Sequence, residues 1–257
     1  MGEQATAKAR IDLFLSQLRL PSIRRSYDKI AQQIGRNGGD YIAFLHALLE
    51  EEVDQRRGRR IERRLKESRL PQIKELSDLD ATALPAGVNL PQLFALAKGD
   101  YLREASNVIA VGSSGTGKTH VSIGLAVEAC RQNKRVRFHT ATELISELEE
   151  AQEQHQLHRY LKRTAALDLL VVDELGYLPV SERGADLLFQ AFSCRHERGS
   201  VIINTNLPFG EWTQIFKTER LAVAMLDRVT HNALVLEMNG ESFRLRSAKT
   251  RAPNVKA

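Results

Sequence analysis

Cysteine is scarce in this 257-residue chain: Cys130 and Cys194 are its only two, and neither has a metal-ligating partner at a useful spacing. That excludes a disulfide scaffold and reads as buried thiols in a reducing compartment. Long apolar runs are missing as well. The longest fragments, such as Leu169–Val172 and Val201–Ile203, fall far short of the roughly 18 residues that a membrane-spanning helix needs. The N-terminal MGEQATAKARIDLF has no apolar core of secretory length. Aromatics are 6% of the chain and are not interleaved with its cations, so any contact with nucleic acid is expected to go through shape and backbone. A cytoplasmic protein with no membrane contact is the expectation.

What is plentiful is positive charge in one place. The net charge is only +5, but Arg56, Arg57, Arg59, Arg60, Arg63, Arg64, Lys66 and Arg69 crowd into one short stretch against Glu62 and Glu67. Such a cluster on a helix is a candidate DNA-phosphate surface, for which we single out Arg56 to Lys66. After Glu241 the tail adds Arg244, Arg246, Lys249, Arg251 and Lys256 without an acidic residue.

Periodicity divides the chain. Residues 1–80 read as a small all-helical domain, with helices near 10–20, from Ser22 to about Ile34, and from Asp40 toward Arg69. Pro71 ends that region, and 81–106 is a connector punctuated by Pro85, Gly87, Pro91 and Gly99, with one short helix at Leu90–Ala97. From 107 to 257 apolar strands alternate with helices. VIAVG, VRFHT, LDLLVVD and SVIINTN are the strands, which implies an α/β fold with a parallel sheet covered by helices on both faces. One long polar helix is expected over 142–163. The closing segments ALVLEM and SFRLR, separated by Asn239-Gly240, suggest a hairpin.

The octapeptide Gly112-Ser113-Ser114-Gly115-Thr116-Gly117-Lys118-Thr119 fits G-x-x-x-x-G-K-[ST], between a strand and a helix. Glycines let successive backbone N–H groups turn toward phosphate oxygens, and the following helix aims its N-terminus at the same anion. Lys118 supplies a charge for the terminal phosphates, and Thr119 a hydroxyl for Mg²⁺. The strand Leu169-Leu170-Val171-Val172 ends in Asp173-Glu174. Asp173 would hold Mg²⁺ and Glu174 would activate the attacking water. Asn204 and Asn206 both stand near the end of the next strand; Asn206, further toward the sheet's ligand-binding edge, is preferred for orienting that water. Arg228 is a candidate for a phosphate contact in a neighbouring copy.

GSSGTGKTH, LLVVDELGYLP, INTNLPFGEW, AMLDRVTH and GESFRLRS closely resemble the IstB-type transposition helper ATPases, relatives of DnaC-type helicase loaders within AAA+. RRGRRIERRLKESRLP also looks like that family's N-terminal region. The resemblance implies an AAA+ P-loop domain with little or no lid. It also implies an ATP- and Mg²⁺-dependent ATPase that self-assembles, binds double-stranded DNA and recruits or activates a cognate transposase. On matching positions it makes Gly112–Thr119 the nucleotide loop, Thr119 and Asp173 the metal residues, Glu174 the water-activating group, Asn206 the sensor and Arg228 the finger acting in trans. The role of Arg244 stays open. A helicase loader is the alternative use of the same core. A GTPase would need [NT]-K-x-D, which is absent; the nearest string is Ala97-Lys98-Gly99-Asp100. A small-molecule kinase would place a substrate hydroxyl where Glu174 suits water.

Overall fold

The computed structural model describes residues 2–243, and among these the chain forms two compact units that divide at Arg63/Arg64. The N-terminal unit is helical: α1 (Gly2–Gln17), α2 (Pro21–Arg36) and most of α3 (Tyr41–Ser68). Pro21 occupies the first turn of α2, where its missing N–H costs nothing. The next two amides, Ser22 and Ile23, donate to the buried carboxylate of Glu52 on α3 at 2.9 and 3.2 Å. Asp40 caps α3 by accepting from the Ala43 amide at 2.8 Å. Gly58 is accommodated inside α3 without a break. Of the large apolar side chains described here, only Ile23 and Leu48 are buried, while Phe14, Leu18, Ile42, Leu45 and Val53 stay exposed.

The second unit begins before the connector. Leu65, Leu70, Leu79, Leu84, Leu90 and Leu96 pack against a core that also holds Val108, Ala110, Val171 and Ile202. The division therefore falls inside α3 and not near residue 80, because these leucines join the apolar core of the second unit. Two further helices, α4 (Leu90–Ala97) and the four-residue α5 (Asp100–Arg103), precede the first strand.

Five strands follow: β1 (Asn107–Val111), β2 (Val136–Thr140), β3 (Leu169–Leu175), β4 (Ser200–Thr205) and β5 (Ala233–Glu237). They lie in the order β2-β3-β4-β1-β5, and every pair is parallel. Alternate residues feed opposite cores, as the period-two pleat requires. Val108, Ala110, Leu169 and Val171 face α6 (Lys118–Arg131). Ile109, Leu170, Val172 and Ile203 face the other layer: α7 (Ala141–Glu153), α9 (Glu182–Ser193), the four-residue α10 (Thr213–Phe216) and α11 (Glu219–Thr230). Such near-continuous apolar strands are what a doubly covered parallel sheet needs.

One local expectation is corrected. The long helix over 142–163 is two helices, α7 and α8 (Leu157–Ala165). His155 takes φ of 57° after α7, and the amide of Gln156 reaches back to Ala151 O at 2.7 Å, which closes the helix. Of the hairpin expected around Asn239-Gly240, β5 is present and pairs with β1 in parallel, and Ser242 and Phe243 are not in a strand. The remainder of SFRLR, with Arg244, Arg246 and the basic tail, lies outside the described residues.

Candidate nucleotide site

Parallel strands bring their carboxyl ends to one edge of the sheet, and the loops after β1, β3 and β4 meet there. Gly112–Gly117 links β1 to α6. Gly112 has φ of 153°, and a Cβ on it would lie 2.1 Å from Met238 O. No other residue fits that approach. Lys118 Nζ donates to the carbonyls of Gly112 and Ser113, both at 2.6 Å, and so folds over its own loop. Burial lowers its pKa, against the opposing pull of Asp173.

Asp173 is buried at the end of β3. Its Oδ1 accepts from Thr119 Oγ1 at 3.2 Å, from Asn204 Nδ2 at 2.9 Å and from the Glu174 amide at 3.1 Å. Asn204 is held in turn by Ser122, whose hydroxyl donates to Asn204 Oδ1 at 2.7 Å. The Thr119 hydroxyl and the Asp173 carboxylate thus sit side by side, a hard-oxygen pair of the kind Mg²⁺ prefers. Glu174 differs from its neighbour in every respect: it is exposed, and its φ is 60°. A shift in register between Val172 and Leu175 turns it out of the ladder.

These groups line one cavity of about 470 Å³, whose walls include Ser114–Thr119, Asp173, Glu174 and Asn206 together with Leu79, Leu84 and Phe243. That volume suits a small-molecule ligand. Sequence reasoning places Asn204 second to Asn206. The structure gives the two different positions: Asn204 is buried and bound to Asp173, while Asn206 is exposed and lines the cavity. The signal for Asn204 is its place inside an apolar strand, where a lone amide needs polar partners.

Arg228 does not line this cavity. Its guanidinium stacks 4.3 Å above the Phe189 ring and donates to Ala224 O at 3.2 Å. Within the basic cluster, Arg56 pairs with Glu52 at 2.7 Å, and Arg59 lies near the same carboxylate and Ser22 Oγ. Arg64 donates to Asn133 at 3.1 Å and Glu67 at 3.2 Å. Arg57, Arg60, Arg63 and Lys66 are exposed. The sequence reading overlooks a second basic surface. On α8, His158, Arg159, Lys162 and Arg163 are exposed, and Leu157–Ala165 contains no acidic residue.

Comparison with known families decides the lineage. Residues 14–251 match the family described as IstB-like ATP binding protein. The chain belongs to this family. An IstB-like relative, an insertion sequence ATP-binding protein of Sinorhizobium fredii, is 36% identical over 242 residues, 94% of this chain and 81% of its own. The ATP-binding protein of insertion sequence IS21 from Pseudomonas aeruginosa is 34% identical over 239 residues, covering 93% and 90% of the two chains. Among solved structures, DnaA from Aquifex aeolicus bound to AMPPCP superposes with a TM-score of 0.55 at 18% identity, over 71% of this chain but only 56% of that one. The DnaC helicase loader gives 0.50 at 18%, over 64% and 96%. These likenesses show the AAA+ fold. IstB-like membership makes this an ATP-binding chain of the IS21 insertion-sequence type. No helix among the described residues is long and apolar enough to cross a membrane.

Proposed function

We propose that this IstB-like protein is a cytoplasmic, Mg²⁺-dependent ATPase that assembles on double-stranded DNA and recruits or activates its cognate transposase. The observation that carries the reading is the cavity itself, where an anion loop, an oxygen pair and a free-standing carboxylate converge. Gly112–Thr119 cradles the phosphates, and Lys118 leaves its own carbonyls to meet them. Thr119 and Asp173 hold Mg²⁺, which when bound neutralises developing charge on the phosphates. Glu174 accepts the proton of a water attacking the γ-phosphorus, and the bond to the bridging oxygen breaks toward ADP. Asn206 orients that water.

Arg228, lying away from its own cavity, is the group lent to an adjoining copy. DNA contact is supported by the exposed cations of α3 and by the basic surface of α8. The exposed apolar side chains of the N-terminal unit support a protein partner, the transposase or a second copy. The insertion-sequence relatives favour transposition over helicase loading as the setting.

The test is Glu174→Gln, followed by phosphate release and by electron microscopy on duplex DNA with ATP, ADP or no nucleotide. Turnover should fall roughly 10²- to 10⁴-fold, as expected for losing a general base, while ATP-dependent assembly on DNA persists. Normal turnover in this variant would refute the role of Glu174. Absence of assembly in the wild-type protein would refute the DNA reading.

A further inference from the structure

The cavity around the P-loop is lined by charged and apolar side chains together. Lys118, Asp173 and Glu174 line it, and so do Leu79, Leu84 and Phe243, with Asp78 and Asp80 beside the leucines in the chain. Phe243 reaches it by an unusual route. After β5 the Met238 amide donates to Val111 O at 2.7 Å, which carries the chain one step past the strand. The segment then crosses the P-loop. A Cβ on Gly115 would lie 2.1 Å from Ser242 Oγ, and the Phe243 amide donates to Gly115 O at 3.0 Å. The backbone of Phe243 is thereby tied to the loop that grips phosphate. Its ring is nonetheless 47% exposed, although it faces a cavity.

A large apolar side chain left half open beside an anion cup suits a ligand that is charged at one end and flat at the other. A nucleoside triphosphate has that form, with a heterocycle beyond its phosphates. We infer that Phe243 is the stacking surface for the base of the bound nucleotide, and that Leu79 and Leu84, which line the same cavity, add apolar contact. The inference rests on the ATP reading above and adds to it the residues that take the base. The hydrogen bond to Gly115 sets the spacing between base and phosphates.

The experiment compares ATP with inorganic tripolyphosphate, each with Mg²⁺, by calorimetry on the full chain. Stacking on an aromatic side chain disappears on substitution by alanine, so Phe243→Ala should weaken ATP roughly 5- to 150-fold. Tripolyphosphate, which has no base, should bind as it does to the wild type. Phe243→Trp should keep ATP affinity and add an indole whose emission responds to ATP and not to tripolyphosphate; Trp212, fully buried, gives the constant background. Unchanged ATP affinity in Phe243→Ala would overturn the inference. So would equal weakening of both ligands, which would mean that the segment only braces the loop. A wild-type protein that binds neither ligand would instead overturn the ATP reading itself, and this inference with it.

Discussion

Asn204 donates its side-chain amide to Asp173 Oδ1 across 2.9 Å, joining the buried ends of two neighbouring strands. The same oxygen accepts from Thr119, so one carboxylate ties β3, β4 and the start of α6 together. Asn204→Leu removes one donor from the buried Asp173 carboxylate, while the Ser122 hydroxyl keeps the Lys118 carbonyl at 3.0 Å as its acceptor. The variant should lose roughly 1–3 kcal/mol of stability, read by chemical denaturation. Its turnover should also need more Mg²⁺, while nucleotide binding in EDTA stays close to wild type. An unchanged Mg²⁺ dependence would show that Asn204 plays no part in placing Asp173.

Arg228 rests on Phe189 in its own chain, outside the nucleotide cavity. Arg228→Ala should therefore leave ATP affinity intact in dilute protein and abolish turnover at concentrations that support assembly. Mixing it with Glu174→Gln protein should restore part of the activity, because a mixed assembly contains junctions with both groups. A mixture as inactive as its components would argue against action between copies.

The basic cluster is not uniform. Arg56 and Arg59 are engaged with Glu52, whereas Arg57 and Arg60 are exposed. Reversing Arg57 and Arg60 to Glu should weaken duplex binding and flatten its dependence on salt, by about one unit of log–log slope for each phosphate that is no longer neutralised. Nucleotide binding should not change. Identical binding curves at two salt concentrations would remove α3 from the DNA surface.

Glu52 makes a pH prediction. Burial would raise its carboxyl pKa, but Arg56 and the amides of Ile23 and Ser22 outweigh that and hold it below 4.5. A depressed folded-state value means the stabilisation is complete at neutral pH. It is lost as pH falls through the folded-state value, below the 4.5 of the unfolded chain. Glu52→Gln should lower the stability of the N-terminal unit by roughly 1–3 kcal/mol at about pH 7. The gap from wild type should narrow as the pH is lowered below 4.5, read from the helical circular dichroism signal on heating. A gap that widened in acid would contradict this assignment.

Much of the nucleotide site is legible in the sequence because its chemistry is local. Gly112–Thr119 and Asp173-Glu174 each state their geometry in a few consecutive residues, and the flanking apolar strands give the context. What stays hidden depends on distant partners. β5 finds a parallel neighbour in β1, far back along the chain, and no local signal announces that pairing. The leucines between 65 and 96 look like surface helix and connector, and only the folded core shows what they pack against. The break at His155 uses no glycine or proline, so periodicity runs through it. Asn204 and Asn206, two positions apart, differ by which side of the last ladder bond they fall on.

The irregularity in β3 has a bearing on how the chain tolerates change. Val172 sits opposite Ile203 and Leu175 opposite Thr205, so β3 carries one residue more than β4 over that span. Deleting that surplus residue would restore even pairing with Leu175 still opposite Thr205. Only one residue would then span the step where Asp173 and Glu174 now stand, so a buried acid and an exposed acid could not both be kept. The bulge is thus what gives one strand end room for an inward and an outward carboxylate at once.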